Sequence, residues 1–160
     1  MTFYWKVKAY RDTDSSEWSQ VWSLTYNWQD PPSPPDANVI IPLTANPTVG
    51  ERPIAVGDAI GVFYEASPGV WQCGGYEVWN GENIGITVWG DNPDTPEKDG
   101  FANGENITYR FWDAIEEKEY FAQATYQVGP TVFQINGFSI LSSLNTVPGA
   151  EIVIPLNDSW

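Results

Sequence analysis

The sequence predicts an all-β protein whose main body is an antiparallel β-sandwich or a jelly-roll-like fold. β-Branched and aromatic residues alternate with polar residues along most of the chain, and Gly, Pro, Asn and Asp interrupt this alternation at short intervals. The 160 residues include 14 Gly and 13 Pro, which suits many short strands joined by turns. Helix-like charge density occurs at residues 113–119, a stretch short enough to be a turn between strands.

Two strands are expected before the first clear boundary. Residues 3–10 and 20–26 alternate in period two on either side of a polar turn, so we expect them to pair as a β-hairpin. A linker at 29–37 follows, because it is rich in Pro, which cannot donate a hydrogen bond to a sheet. The hairpin at 1–28 is therefore predicted to precede a separate module at 38–146.

The module and the C-terminal segment together contain eight predicted strands. They are short runs of apolar and β-branched residues bounded by polar turns: 39–43, 60–65, 71–78, 84–90, 107–113, 119–126, 132–140 and 152–156. Residues 147–160 are expected to form a C-terminal strand that either opens a further module or adds itself to another chain.

Composition excludes several classes of function. The chain has no His and one Cys, so it builds neither a His-dependent catalytic triad, nor a zinc site with His ligands, nor an intrachain disulfide. Its 7 Lys and Arg against 21 Asp and Glu give a net charge of -14, which repels nucleic acid and anionic membrane surfaces. We expect no enzyme activity, no nucleic-acid partner and no membrane insertion.

The first 26 residues carry one resemblance to a known fold. The segments FYWKVKAY at 3–10 and SEWSQVWSLT at 16–25 resemble the last two strands of a fibronectin type III domain. That resemblance implies an open fibronectin-like β-hairpin, with the other strands of the domain supplied by a longer protein or by another chain.

The body carries a second resemblance, over about residues 38–146. The segments VGDAIGVFY at 56–64, CGGY at 73–76, ITVWGD at 86–91 and TPEKDGF at 95–101 are similar to a β-rich module of secreted, cell-surface proteins of Bacteroidetes-type bacteria. The resemblance implies an extracellular or cell-surface location and a multidomain context, with no established chemistry.

The first functional hypothesis is a non-catalytic structural or adhesive module that assembles head to tail into a filament. Two strands alone are marginal in water, so the hairpin needs a partner, either a copy of the chain or a neighbouring module. A contact of this kind that does not close on itself produces a filament. The residues expected to contribute are Trp5, Trp22, Ile152, Ile154 and Trp160.

The alternative hypothesis is a carbohydrate-binding module. If the aliphatic faces of strands 84–90 and 107–113 form the core, Trp89 and Trp112 point outward from adjoining strands, with Thr87 and Arg110 beside them. Aromatic faces stack on sugars, and polar neighbours bind the hydroxyl groups. A second interpretation stays open, in which loops or a further layer cover these side chains.

One loop is a candidate cation site. Asp91, Asp94, Glu97 and Asp99 lie within nine consecutive residues, and calcium prefers several carboxylate oxygens. The spacing departs from an EF-hand loop, and Asp is also common in ordinary turns. Calcium is thus the one cofactor that the sequence suggests, with a solvated turn as the alternative.

Cys73 is expected to be a buried structural thiol, because no His or base cluster activates it.

Overall fold

The protein is described by a computed structural model that covers residues 2–5, 10–11, 14–15, 22–25, 35–50 and 52–152, with side chains for 35–50 and 52–147. The chain divides into two compact units, Met1–Ser33 and Pro34–Trp160, and the division falls inside the Pro-rich segment. Strands dominate the described residues of both units, which confirms the predicted all-β class. Within the described part of the chain, no helix has the length and apolar character needed to cross a membrane.

The N-terminal unit contains two short antiparallel ladders. Strand β1 (Thr2–Trp5) pairs with β4 (Trp22–Thr25), and β2 (Tyr10–Arg11) pairs with β3 (Asp14–Ser15). The register of the first ladder places Trp5 directly opposite Trp22. The predicted antiparallel pairing is therefore present over these residues, while 6–9 and 16–21 lie outside the described part.

The C-terminal unit contains nine strands and one 3-10 helix at Leu43–Ala45 among its described residues. Six strands lie within three residues of their predicted bounds, and the first of them begins at Asp36, inside the predicted linker. The strands are β5 (Asp36–Ile41), β6 (Thr48–Val49), β7 (Arg52–Pro53), β8 (Ala59–Ser67), β9 (Val70–Val78), β10 (Ile84–Trp89), β11 (Thr108–Asp113), β12 (Lys118–Val128) and β13 (Phe138–Ile152).

Seven of these strands form one hydrogen-bonded path in the order β10-β5-β13-β12-β11-β8-β9, and β6 and β7 are attached beside β13. All neighbours on this path are antiparallel except β13 and β5, which run parallel from Phe138 opposite Asn38 to Ile140 opposite Ile40. The sheet is therefore mixed, with one parallel pair in a path that is otherwise antiparallel, as the sequence predicts for most of the body. The division into two sheets that defines a sandwich stays a prediction.

The last two predicted strands are wrong in their bounds. Most of the predicted strand 132–140 is a loop, in which Asn136 has a φ of 59°, and β13 then runs without a break from Phe138 to Ile152. Pro148 and Gly149 do not end the strand, because the ladder with β12 shifts register between Ala122 and Tyr120 at this point. Such a bulge tolerates Pro, since the extra residues need not pair. Residues 153–156 lie outside the described part.

One core joins the strands of this unit. The inward faces of β5, β8, β10, β11 and β13 all contribute to a single buried cluster. Period-two alternation places Ile84, Ile86 and Val88 in that cluster, as the sequence predicts. The two ends of the path also meet, because Gly75 of β9 lies against the carbonyl oxygen of Thr87 in β10. The sheet thus curls around its core and brings β9 beside β10.

Candidate functional site

A groove of about 660 Å³ lies where β9 and β10 come together. Its lining comes from β9, from β10 and from the loop that follows β10. The lining residues are Cys73, Gly74, Gly75, Tyr76, Glu77, Thr87, Trp89, Gly90, Asn92 and Asp99. Of the residues predicted from the sequence, Thr87, Trp89 and Asp99 are brought together here.

Two consecutive glycines make this groove sterically feasible. A Cβ atom on Gly75 would overlap the carbonyl oxygen of Thr87, and a Cβ on Gly74 would press into the ring of Phe101 at 2.5 Å. Glycine inside a strand often marks a place where another backbone approaches closely. Gly75 therefore allows the end strands of the path to meet, and Gly74 leaves room for the Phe101 ring beside the groove.

Two aromatic side chains at the groove remain accessible to solvent. Trp89 is 44% exposed at the end of β10, and Tyr76 is 54% exposed on β9. Trp89 follows the buried Val88, so strand alternation directs its ring away from the core. An exposed Trp at a concave surface with polar neighbours is a common feature of ligand sites.

The buried ring of Phe101 fixes the loop beside Trp89. The Phe101 amide donates to the carbonyl oxygen of Trp89 at 3.0 Å, and the Asp91 amide donates to the carbonyl oxygen of Phe101 at 2.9 Å. The Phe101 ring is 1% exposed and stacks on Phe133 with 5.5 Å between the ring centroids. Both ends of the acidic loop are thereby tied to the same point of the core.

Hydrogen bonds within the loop hold Asp99 as an anion at the rim of the groove. Its carboxylate accepts bonds from the Asn92 amide at 2.9 Å and from the Thr95 hydroxyl at 3.0 Å. The bond from the Asn92 amide, followed by that from Thr95, lowers the pKa of Asp99 below its usual value. Asp99 is therefore negatively charged at neutral pH.

The four predicted calcium ligands do not converge. The Asp91 carboxylate accepts a hydrogen bond from the Asp99 backbone amide at 2.8 Å. The Asp99 carboxylate accepts bonds from Asn92 and Thr95, and the residues Asp94 and Glu97 are exposed. Among the side chains of residues 35–50 and 52–147, no group of three or more His, Cys, Asp or Glu is placed to hold a metal ion. Calcium binding stays a prediction, which a rise in melting temperature on adding calcium, reversed by a chelator, would support.

The predicted platform of Trp89, Trp112, Thr87 and Arg110 is not formed, because its two strands do not adjoin. Strand β10, which carries Trp89 and Thr87, is separated from β11, which carries Trp112 and Arg110, by three strands along the path. Trp112 is half-buried and does not line the groove. The expectation that the two Trp residues lie side by side is wrong.

Arg110 points to the outer face of β11, as predicted, yet it is buried there. Its guanidinium lies 3.0 Å from the fully buried Glu119 carboxylate. Its charge centre is also 4.2 Å from the ring centroid of Phe63, 5.1 Å from that of Phe121 and 5.8 Å from that of Trp71. Arg110 is therefore covered by side chains of the neighbouring strands β8, β9 and β12 in the same sheet.

Cys73 lines the groove and is half-buried. Burial raises the pKa of its thiol, which donates a hydrogen bond to the carbonyl oxygen of Gly75 at 3.4 Å. The thiol is therefore protonated and unreactive at neutral pH, which agrees with a structural role.

The predicted assembly residues fall in separate places. Trp5 and Trp22 are opposite each other in the β1–β4 ladder. Ile152 ends β13 opposite Glu119 of β12, so this part of the expected donor strand is already paired within its own chain. Ile154 and Trp160 lie outside the described residues.

Sequence reasoning missed Tyr76 and Glu77 as partners of Trp89. These residues become neighbours through the meeting of β9 and β10 at opposite ends of the path, a non-local event. The available signal was the Gly74–Gly75 doublet inside a strand pattern, which indicates close backbone approach.

The comparisons with known proteins give no family assignment. No protein-family model, curated protein or solved structure matches the chain. The resemblances to a fibronectin type III hairpin and to a secreted cell-surface module therefore remain predictions.

Proposed function

We propose that the C-terminal unit is a non-catalytic carbohydrate-binding module of an adhesive extracellular protein, and that the groove between β9 and β10 is its binding site. The observation that carries this proposal is the exposed ring of Trp89 at a concave surface that Tyr76, Asn92 and Asp99 also line. The extracellular setting rests on the resemblance of residues 38–146 to modules of secreted proteins.

The groove supplies the chemistry that sugars require. The apolar face of a pyranose ring packs on a flat aromatic side chain, and carboxylate and amide groups bind its hydroxyls. A volume of about 660 Å³ lies within the range of small-molecule sites and accommodates a few sugar units. The absence of His from the sequence and the raised pKa of Cys73 favour binding over catalysis.

A glycan array followed by calorimetry tests this proposal. We expect the protein to bind a subset of glycans and the Trp89→Ala variant to bind them at least about tenfold more weakly, because losing a stacked ring costs about 1.5 kcal/mol. Phe138→Ala is the matched control, since Phe138 is an exposed aromatic that does not line the groove. Equal losses in both variants, or an array without any binding, would contradict the proposal.

The structural function is a second candidate, favoured by the β1–β4 ladder. Its described part consists of two strands, and a two-stranded sheet gains stability by adding a strand from another chain. We propose that this ladder mediates contacts with copies of the chain or with neighbouring modules. Light scattering should show large particles that disappear when residues 1–33 are deleted, whereas a monomer at all concentrations would contradict self-assembly.

A further inference from the structure

We propose that the groove between β9 and β10 selects glycans that carry free amino groups, such as β-1,4-linked glucosamine, over neutral and anionic glycans. This inference rests on the proposed carbohydrate-binding function and specifies its ligand class. It follows from the charges around the exposed aromatic rings.

The described lining of the groove carries negative charge without a compensating cation. Glu77 comes from β9 and Asp99 from the loop after β10, and none of the lining residues is Lys or Arg. Both acidic side chains belong to exposed residues. The hydrogen bonds to Asp99 keep its carboxylate ionised, which strengthens the negative potential at the rim.

The basic residues of 35–152 are all engaged in ion pairs elsewhere. The ammonium group of Lys98, a residue of the acidic loop, binds outside that loop. It lies 2.8 Å from the Glu105 carboxylate and donates to the carbonyl oxygen of Glu65 at 2.6 Å. The remaining three bind other carboxylates: Arg52 with Asp58 and Asp113, Arg110 with Glu119, and Lys118 with Glu116. The loop's single cation, Lys98, thus binds away from the groove, and none of the basic residues within 35–152 compensates the field of Glu77 and Asp99.

An amino sugar matches this combination of aromatic and acidic groups. Its ring presents an apolar face to Trp89, while its ammonium group is attracted both by carboxylates and by aromatic faces. Uronic acids and sialylated glycans present carboxylates, which Glu77 and Asp99 repel. Neutral glycans gain the stacking alone, so they are expected to bind more weakly than amino sugars.

Calorimetry with three hexasaccharides of one linkage tests this inference. The probes are the β-1,4 hexamers of glucosamine, glucose and N-acetylglucosamine, measured at mildly acidic pH and at low and high salt. We expect the glucosamine hexamer to bind at least about fivefold tighter than the other two at low salt, and this advantage to shrink at high salt. Glu77→Gln should reduce the advantage, and Glu82→Gln, an exposed acid outside the groove lining, should leave it unchanged.

The outcomes separate this inference from the proposed function. Equal binding of all three hexamers through Trp89 would overturn the charge selectivity and leave carbohydrate binding intact. Tighter binding of the N-acetylated hexamer would also overturn it. Failure of all three hexamers and of the glycan array to bind would contradict both. Asp99→Asn serves as a second variant, and its melting temperature must match that of the unaltered protein because Asp99 also holds the loop.

Discussion

The amide of Phe101 donates a hydrogen bond of 3.0 Å to the carbonyl oxygen of Trp89. This bond joins the backbone of Phe101, a residue that is 1% exposed, to the backbone of Trp89, which is 44% exposed. The position of the accessible ring therefore depends on packing in the core. The same bond fixes the start and the end of the acidic loop, so the aromatic and acidic sides of the groove share one anchor.

Substituting Phe101 is expected to weaken binding and stability together. Phe101→Leu removes the ring that stacks on Phe133 and lies 5.5 Å from the Tyr64 ring, which should lower the free energy of unfolding by about 1–3 kcal/mol. The loosened loop should also reduce affinity for glycans at a temperature where the variant is folded. Urea denaturation and calorimetry measure the two effects, and unchanged affinity would show that the anchor does not position the groove.

Adding one methyl group to Gly75 is expected to disturb the meeting of β9 and β10. Gly75→Ala places a Cβ against the carbonyl oxygen of Thr87, so the backbone must shift, at a cost of about 1–3 kcal/mol. Gly104→Ala is the control, since Gly104 also has a positive φ but has open space around its Cβ position. Thermal or urea unfolding should show a larger loss for Gly75→Ala, and equal losses would argue against the close approach.

Removing one partner of the buried Arg110–Glu119 pair is expected to lower the free energy of unfolding strongly, whereas replacing both partners by apolar residues is expected to change it little. Within the described chain, Arg110 Nε and Glu119 Oε2 are buried without a hydrogen-bond partner. Arg110→Met leaves an uncompensated buried carboxylate and should cost about 3–5 kcal/mol, whereas the double variant with Glu119→Leu should recover most of that loss. A double-mutant cycle by urea denaturation measures this, and a double variant as unstable as Arg110→Met would contradict it.

Acid is expected to destabilise the protein through Asp113. Burial acts to raise the pKa of Asp113, but bonds from the Glu116 amide at 3.0 Å and from Arg52 at 2.7 Å outweigh it and hold the pKa below the usual 3.8. Because the folded pKa is lower than the unfolded one, the stabilisation is complete above about pH 4 and is lost as the pH falls through the folded pKa.

Urea unfolding at a series of pH values tests this linkage. Stability should fall more steeply below about pH 4 in the unaltered protein than in Asp113→Asn, which has no carboxylate to titrate at this position. Asp99 and Glu105 also have lowered pKa values, so part of the acid sensitivity should remain in the variant. Identical slopes for the two proteins would contradict a stabilising role for the Asp113 carboxylate.

Local patterns in the sequence predict the class of fold and most of its strands. The alternation of Ile84, Ile86 and Val88 with polar or small residues identifies an inward face without knowledge of the partners of that strand. The same reasoning orients Trp89 outward, and the structure agrees. These successes rest on period two, which is a property of each strand alone.

Period-two patterns could not predict the order of the strands in the sheet or which outward-facing side chains are buried. Strands β10 and β11 are consecutive long strands in the sequence but stand apart in the sheet, because the order depends on pairings between distant segments. Arg110 occupies an outward position and is still buried, since Phe63, Trp71 and Phe121 surround it. The groove depends on the strand order and on the packing of outward-facing side chains. The sequence therefore indicated individual groove residues such as Trp89 and Asp99, but not that they lie together with Tyr76 and Glu77.

An NMR titration that follows the Trp side chains gives the most direct test of carbohydrate binding in the groove. Glucose and glucosamine hexamers are added separately, and the indole N–H signals of Trp89 and Trp112 are assigned with the Trp89→Phe and Trp112→Phe variants. We expect the Trp89 signal to shift with saturation while the Trp112 signal stays in place, because only Trp89 lines the described groove. Shifts confined to Trp112, or no shift of Trp89 with either hexamer, would contradict the assignment of the binding site.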